Sequence, residues 1–383
     1  VVHVRNWILP EHIEDILPAD AARVELLRAR LLELFRVHGY LLVYPPMLEY
    51  LESLLTGTGH DLDLRTFKLV DQLSGRMMGL RADITPQVAR IDAHLLNKPG
   101  ATRLCYCGTV LHTRPRGLYA TREPLQIGAE LYGHAGPESD VEIHRLLVAA
   151  LAACGIGGAR IDVGHVGVFG AICRNGGVTA EREAEIQAAL EGKDVPGLAA
   201  LCDGLPAQTA RALMALPGLY GDAGTLSRAR AILPPLPEIA RALDDLTRFV
   251  EAGSLPVSVD LADLRGYNYH TGVVFAAYAA DHPNAIALGG RYDKVGAAFG
   301  RARAATGFSM DLRDVVRLSP ASPEPGATRA PWSDDPALAS EIARLRAGGE
   351  VVVQDLPGAP AATQDCGREL VLSAGRWQVK KRD

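Results

Sequence analysis

Three stretches of this chain concentrate residues able to hold a small polar ligand. In Leu125-Gln126-Ile127-Gly128-Ala129-Glu130-Leu131-Tyr132, strand alternation puts Gln126, Gly128 and Glu130 on one face. An amide and a carboxylate on either side of a glycine leave room for a polar guest; a solvated sheet face is the plain alternative. The second stretch is Leu264-Arg265-Gly266-Tyr267-Asn268-Tyr269-His270-Thr271-Gly272, followed by Gly289-Gly290-Arg291-Tyr292-Asp293. It reads as two glycine turns with two arginines and three tyrosines beside one histidine. A phenol offers both an apolar face and a hydroxyl, so tyrosines near a guanidinium suit an aromatic or zwitterionic ligand. Surface ion pairing of the arginines and partial burial of the tyrosines are the alternatives. The third is Leu80-Arg81-Ala82-Asp83-Ile84-Thr85-Pro86-Gln87.

Other chemistries are excluded or weak. The six cysteines form no CxxC pair, and Cys105 and Cys107 fit neither zinc-ligand spacing nor a secreted disulfide framework. They read as reduced structural thiols of a cytosolic protein. Gly164, Gly167 and Gly170 recur every three residues, but no Lys-Ser/Thr follows as in a phosphate-binding loop; close backbone packing is the better reading. A net charge of −5 points away from a strong nucleic-acid binder. No secretory signal opens the chain, and no run of about 20 apolar residues could cross a bilayer. The expected location is the cytoplasm.

These residues need elements to position them. At 383 residues and 48% hydrophobic, the chain can bury a large core and make two or three domains. Val24, Leu27, Leu31, Leu34 and Phe35 follow a 3.6-residue period, predicting a helix over Ala19 to Gly39. Tyr40 to Tyr44 is a strand stopped by Pro45 and Pro46. A hairpin is expected from Thr66 to Leu69 and Arg76 to Leu80 around Ser74-Gly75. A helix over Pro86 to Leu96 follows, then strands Thr102 to Leu111 and Leu125 to Tyr132 around an arginine-rich turn, then a helix Val141 to Cys154. Thr179 to Gly253 reads as a helical insertion. Strand character returns over Pro256 to Asp260, Val273 to Tyr278 and Ala285 to Leu288, before a helix Ser309 to Leu318. Residues 320–326 have linker composition. A helix Pro336 to Ala347 and strands Glu350 to Gln354 and Glu369 to Leu372 complete the chain. The pattern predicts an α+β fold, an antiparallel sheet with flanking helices.

The motifs resemble the catalytic core of histidyl-tRNA synthetase, a class II synthetase, over roughly residues 5 to 318. Pro45-Pro46 fits the end of motif 1. Val110 to Tyr132 fits motif 2, Leu264 to Phe275 the histidine-specific signature, Gly289 to Asp293 a second family signature, and Ala305 to Val315 motif 3. The resemblance implies a core domain over residues 1–320, with the helical insertion at about 165–255, and a small C-terminal α/β segment over 321–383. It also implies a histidine pocket. Asp83, Thr85 and Gln126 match the ammonium side, Glu130 the acid that reads the imidazole, and Arg265 the carboxylate-side arginine. Tyr269 matches the first signature tyrosine, His270 replaces the second, and Tyr292 lines the same pocket.

The departures are as informative. Where the synthetases carry the motif 2 arginine and glutamate of the ATP site, this chain has Leu111 and Thr113. Where motif 3 ends in a nucleotide-clamping arginine, it has Asp314. Each charge-assisted contact is worth roughly 1.5–3 kcal/mol. Losing both arginines removes about 3–6 kcal/mol, a factor of about 10² to 10⁴. The tail from Ala321 spans 63 residues, short of the roughly 100 expected for an anticodon-binding domain.

This combination resembles the regulatory-subunit family of ATP phosphoribosyltransferase. The resemblance implies no catalysis or tRNA charging of its own, no cofactor and no metal. The implied partners are the short-form catalytic subunit and a second copy, as a homodimer within a hetero-oligomer. Histidine is the implied feedback ligand, with the pocket and the subunit interface both open as its site. An active histidyl-tRNA synthetase and a stand-alone histidine- or tRNA-sensing paralogue are the rival readings.

Overall fold

Pro18 in the first turn, Asp20 near the helix amino end and Arg36 near its carboxyl end favour helix α1, Pro18–Val37. Val24, Leu27, Leu31 and Phe35 form its buried stripe. Gly39, at φ +84°, turns the chain out of the helix. The computed structural model describes residues 8–57, 60–117, 120–280, 282–320, 326–358 and 366–382. It comprises two compact units, Val1–Pro320 and Ala321–Asp383.

The first unit is built on a nine-stranded sheet. Its strands are β1 (Leu41–Leu42), β5 (Thr102–Thr109), β6 (Leu125–Tyr132), β12 (Ala305–Asp311), β11 (Ala287–Arg291), β10 (Val273–Tyr278), β7 (Arg160–His165), β9 (Val257–Asp260) and β8 (Tyr220–Gly221), in that spatial order. Pairing from β5 through β7 is antiparallel; β1 joins β5 and β9 joins β7 in parallel. Strands β2 (Leu48–Tyr50), β3 (Phe67–Val70) and β4 (Met77–Leu80) make a small antiparallel sheet. The Asp71 carboxylate accepts from the Leu73 and Ser74 amides and so closes the expected hairpin turn. Short helices α2 (Leu51–Leu54) and α3 (His60–Arg65) lie between β2 and β3, and α4 (Thr85–Arg90) continues into one π-helical stretch, Ile91–Leu96.

Helix α5 (Pro137–Ala153) packs with α1 and α12 (Leu312–Leu318) on the large sheet, where Phe35, Ile127, Ile143, Leu147 and Phe308 join one core. Helices α6 (Val166–Asn175), α7 (Ala180–Glu191), α8 (Val195–Cys202), α9 (Ala207–Ala215), α10 (Gly224–Ile232) and α11 (Pro237–Ala252) follow β7. The stretch expected to be wholly helical is interrupted by β8, which pairs with β9. The glycines after Ile161 do serve close packing. A Cβ on Gly164 would lie 2.6 Å from the Asp260 carbonyl, and one on Gly170 would lie 2.9 Å from the Tyr267 hydroxyl.

Three expectations need correction. The helix predicted over Ser309 to Leu318 is strand through Asp311, because Ser309 and Asp311 pair with Gly128 and Gln126. Asp311 then caps α12 by accepting from the Arg313 amide at 3.0 Å. The strand predicted to Leu111 stops at Thr109. Gly289-Gly290 is not a turn but part of β11, paired with Phe275 and Val274; a Cβ on Gly289 would lie 2.3 Å from the Phe275 ring.

The second unit is a four-stranded sheet in the order β14 (Val352–Gln354), β13 (Thr328–Ala330), β15 (Arg368–Ser373), β16 (Arg376–Lys381). Helix α13 (Pro336–Ala347) covers it through Leu338, Ile342 and Leu345. Strands β13 and β16 are additions to the expected elements. Most of the linker, residues 321–325, lies outside the described residues.

Candidate functional site

The register of β5, β6 and β12 builds one end of a pocket. Leu104, Tyr106 and Gly108 oppose Glu130, Gly128 and Gln126, and Gly307 opposes Glu130 from the other side. The room above Gly128 is taken by Tyr106, not by a guest: a Cβ on Gly128 would lie 2.5 Å from the Tyr106 hydroxyl. Tyr106 donates to Glu130 Oε1 at 3.0 Å, Thr85 donates to the same oxygen at 3.1 Å, and Tyr292 donates to Oε2. Glu130 is 1% exposed. Burial away from water pushes its carboxyl up to about 8, against the pull of the Tyr292 and Tyr106 hydroxyls; the charge of Asp83 adds to the rise. Near neutral pH this acid is protonated.

Asp83 is fixed beside it. Its Oδ1 accepts from Gln126 Nε2 at 2.9 Å and from the Thr85 amide at 3.0 Å, while Gln126 Oε1 accepts from the Ile84 amide at 2.9 Å. Gln126 therefore positions the acid rather than reaching into the cavity.

Tyr269 and Tyr292 stack with centroids 5.2 Å apart, and Tyr269 meets His270 edge-on. The Tyr269 hydroxyl is buried without a hydrogen-bond partner in the structure. His270 Nδ1 lies 3.2 Å from the Arg291 carbonyl, and burial holds the imidazole down to about 4, hence neutral. Gly266 is at φ +63°, and a Cβ there would lie 2.9 Å from the His270 ring, so this turn requires glycine. Arg291 belongs to the scaffold: it pairs with buried Asp140 at 2.9 Å and caps the carbonyl of Gly136.

Asp83, Thr85, Glu130, Arg265, Tyr269, His270 and Tyr292 line one cavity of about 910 Å³. That is ample for an amino acid and within the usual range of ligand sites. Of the eight expected pocket residues only Gln126 stands behind the wall. Leu111, Thr113 and Asp314 are not among the lining residues. Thr113 is tied by its hydroxyl to the Leu64 carbonyl at 2.7 Å, and Asp314 pairs with Arg317 at 3.2 Å. Asp311, half-buried at the end of β12, is a further acid on this side; desolvation and then the charge of Asp314 raise its carboxyl to about 7. Arg65 and Arg116 line the cavity from the motif 2 side.

Three further residues shape the site. Tyr106 was readable, because strand alternation sets it opposite Gly128. Gly307 was hidden by the helix expected from Ser309. Asp263 binds Arg265, and its position two residues ahead of the arginine was the available signal.

Fold and pocket together define a class II synthetase-like protein, and residues 12–315 match the family model described as histidyl-tRNA synthetase. Residues 325–380 match a second model, the C-terminal domain of ATP phosphoribosyltransferase subunit HisZ. The ATP phosphoribosyltransferase regulatory subunit of Ralstonia nicotianae is 61% identical over 380 residues, covering 98% of each chain. The chain belongs to the ATP phosphoribosyltransferase regulatory subunit family. Among solved structures, one described as an ATP phosphoribosyltransferase regulatory subunit/histidyl-tRNA synthetase from Bacillus halodurans has a TM-score of 0.83 at 27% identity, covering 94% of this chain and 95% of that one. Histidyl-tRNA synthetase from Nostoc sp. shares the fold, with a TM-score of 0.76 at 18% identity, covering 98% of this chain and 95% of that one.

Proposed function

We propose that this chain is a non-catalytic subunit that holds histidine in the sheet pocket and transmits feedback to a short-form ATP phosphoribosyltransferase catalytic subunit, which it also activates. The partner reaction is the condensation of ATP with phosphoribosyl pyrophosphate. One observation carries the reading: the buried Glu130 and the fixed Asp83 share a cavity with Arg265, while the positions matched to phosphate contacts carry Leu111 and Asp314. Asp83 suits an ammonium, Glu130 an imidazole, and Arg265 faces the carboxylate end. Adenylation, by contrast, rests on stabilising phosphate charge, and here that end gains acid.

The homodimer is part of the same proposal. Leu41 and Tyr44 are 61% and 66% exposed beside Leu42, Met47 and Leu48, an apolar run at the sheet edge that an isologous contact would cover. Among the described residues no helix is long and apolar enough to cross a membrane; a cytoplasmic location fits a biosynthetic partner.

The test is co-purification with the catalytic subunit, followed by transferase activity with and without histidine. Activation on mixing, and inhibition by histidine that Glu130→Ala weakens, is the expected outcome. Inhibition unchanged in Glu130→Ala would move the feedback site to the subunit interface.

A further inference from the structure

Arg265 is already occupied. Asp263 Oδ1 accepts from the Arg265 backbone amide at 3.2 Å and from its Nε at 2.8 Å, and Oδ2 accepts from Nη2. The fork-to-fork pair is the strongest geometry a guanidinium can adopt. Nη1 donates to the Tyr278 hydroxyl at 2.8 Å. The Asp263 side chain is 8% exposed, whereas that of Arg265 is 42% exposed. The carboxylate is therefore the anchored partner and the guanidinium the one that faces the cavity. Gly164 makes this possible: a Cβ there would lie 3.3 Å from the Asp263 Cβ. Asp162 and Asp260 line the cavity too, but Arg160 and Lys193 stand among the same lining residues, so the direct partner of Arg265 is Asp263.

We propose that Asp263 is an affinity-limiting latch on the pocket, holding the Arg265 guanidinium so that a ligand carboxylate must displace or share it. This rests on the reading that the pocket holds histidine. Two effects act in the same direction. The charge of Arg265 is largely neutralised before a ligand arrives, and the Asp263 carboxylate repels a second carboxylate approaching the same group. Recognition shifts toward the ammonium and imidazole ends, and anion binding at the centre of the site is weak. An adenylate or phosphate would meet the same neutralised arginine. The latch sets histidine affinity low enough to respond to changes in its concentration, and discriminates little between histidine and a carboxylate-free analogue.

The experiment is calorimetric titration of L-histidine and of histamine, which lacks the carboxylate, into the full-length protein and its Asp263→Asn variant. Asparagine keeps the acceptor for the Arg265 amide and removes the charge. Histidine should bind about tenfold more tightly to the variant, the gain of one charge-assisted contact; histamine should change less than about twofold. Adding Arg265→Ala to Asp263→Asn should erase the gain. Where Asp263→Asn lowers the melting temperature, Asp263→Ser, whose hydroxyl can also cap that amide, carries the same comparison. Equal or weaker histidine binding, or an equal gain for histamine, overturns the latch and makes Asp263 a structural cap of the 263–270 turn. Glu130→Gln separates the two readings. Histidine affinity lost in that variant but unmoved by Asp263→Asn overturns the latch alone; affinity indifferent to Glu130→Gln overturns both.

Discussion

At the Glu130 end of β6, the hydroxyls of Tyr106, Thr85 and Tyr292 converge on one buried carboxyl. At the other end of the same strand, Gln126 opposes Asp311, a second, half-buried acid, with Asp314 one turn further on. Each acid has an acidic neighbour, Asp83 beside Glu130 and Asp314 beside Asp311, but the donors to Glu130 are side-chain hydroxyls whereas those to Asp311 are the backbone amides of Leu125 and Arg313. On the proposed reading, recognising an amino acid and stabilising a phosphate are separable tasks. The first would rest on hydrogen bonds around the buried Glu130, each worth about 1 kcal/mol. The second needs full positive charge aimed at the phosphate, and the positions that would supply it hold Leu111 and Asp314.

The largest expected effect tests the acidic end. Histidine-dependent ATP–pyrophosphate exchange should be absent, and turnover on the order of 1 s⁻¹ would break the comparison outright. Restoring both arginines, Leu111→Arg with Asp314→Arg, should raise nucleotide affinity without restoring charging, because Thr113 remains tied to Leu64.

At the other end, Glu130→Ala should weaken histidine binding by about 1–3 kcal/mol, or about 5- to 150-fold, while nucleotide binding stays as weak as before. Equal losses for both ligands would mean that the two ends are not independent. A loss of the same order comes from Gly307→Ala. A Cβ there would sit 1.6 Å from Glu130 Oε2, so the carboxylate must move off its donors. Overpacking of this kind costs about 1–3 kcal/mol. Thermal melts should show the loss, and titration should show weaker histidine binding.

The two ends also differ in how far the sequence disclosed them. Glu130 and Gln126 were legible because period-2 alternation is a strong signal in Leu125 to Tyr132, and the same rule reaches Tyr106 on the neighbouring strand. Gly289-Gly290 misled because glycine pairs mark turns as well as close approaches, and only the Phe275 ring across the sheet decides between them. Ser309 to Asp311 misled because three residues are too few to fix either period; pairing with β6 settles it. For the Asp263–Arg265 pair the spacing signals only the turn, in which the Asp263 carboxylate accepts from the amide two residues on; the side-chain pairing is added by the fold. Strand β13 has three residues, too few to show a period, and its partners β14 and β15 lie further along the tail, whereas β16 does alternate Trp377 and Val379 with polar residues and closes a tight hairpin on β15.

The finest test of the contrast is pH. Burial holds the Glu130 carboxyl at about 8, whereas a free imidazole titrates near 6.5. In the complex the two share one proton. Between about pH 6.5 and 8 the free partners together already carry that proton, so histidine affinity should be flat. Above 8 a proton must be taken up on binding, and below 6.5 one must be expelled; affinity should fall on both sides, by at most about tenfold per pH unit. Glu130→Gln cannot ionise, so its alkaline limb should keep only the ligand's own ammonium. Folding stability does not report the same quantity. The raised Glu130 carboxyl makes a contribution that is complete below its unfolded value of 4.5 and is lost as pH rises through 8. The buried, neutral His112, His144, His165 and His270, each held near 4, act oppositely: their contribution is complete above about 6.5 and is lost as pH falls toward 4. The measurement is therefore calorimetric binding from pH 6 to 9 in buffers of different ionisation heat. Zero net proton exchange near pH 7.2 is the expected result. Uptake of a full proton there would mean that Glu130 is already ionised in the free protein, and that burial at this end of the pocket does not hold its proton.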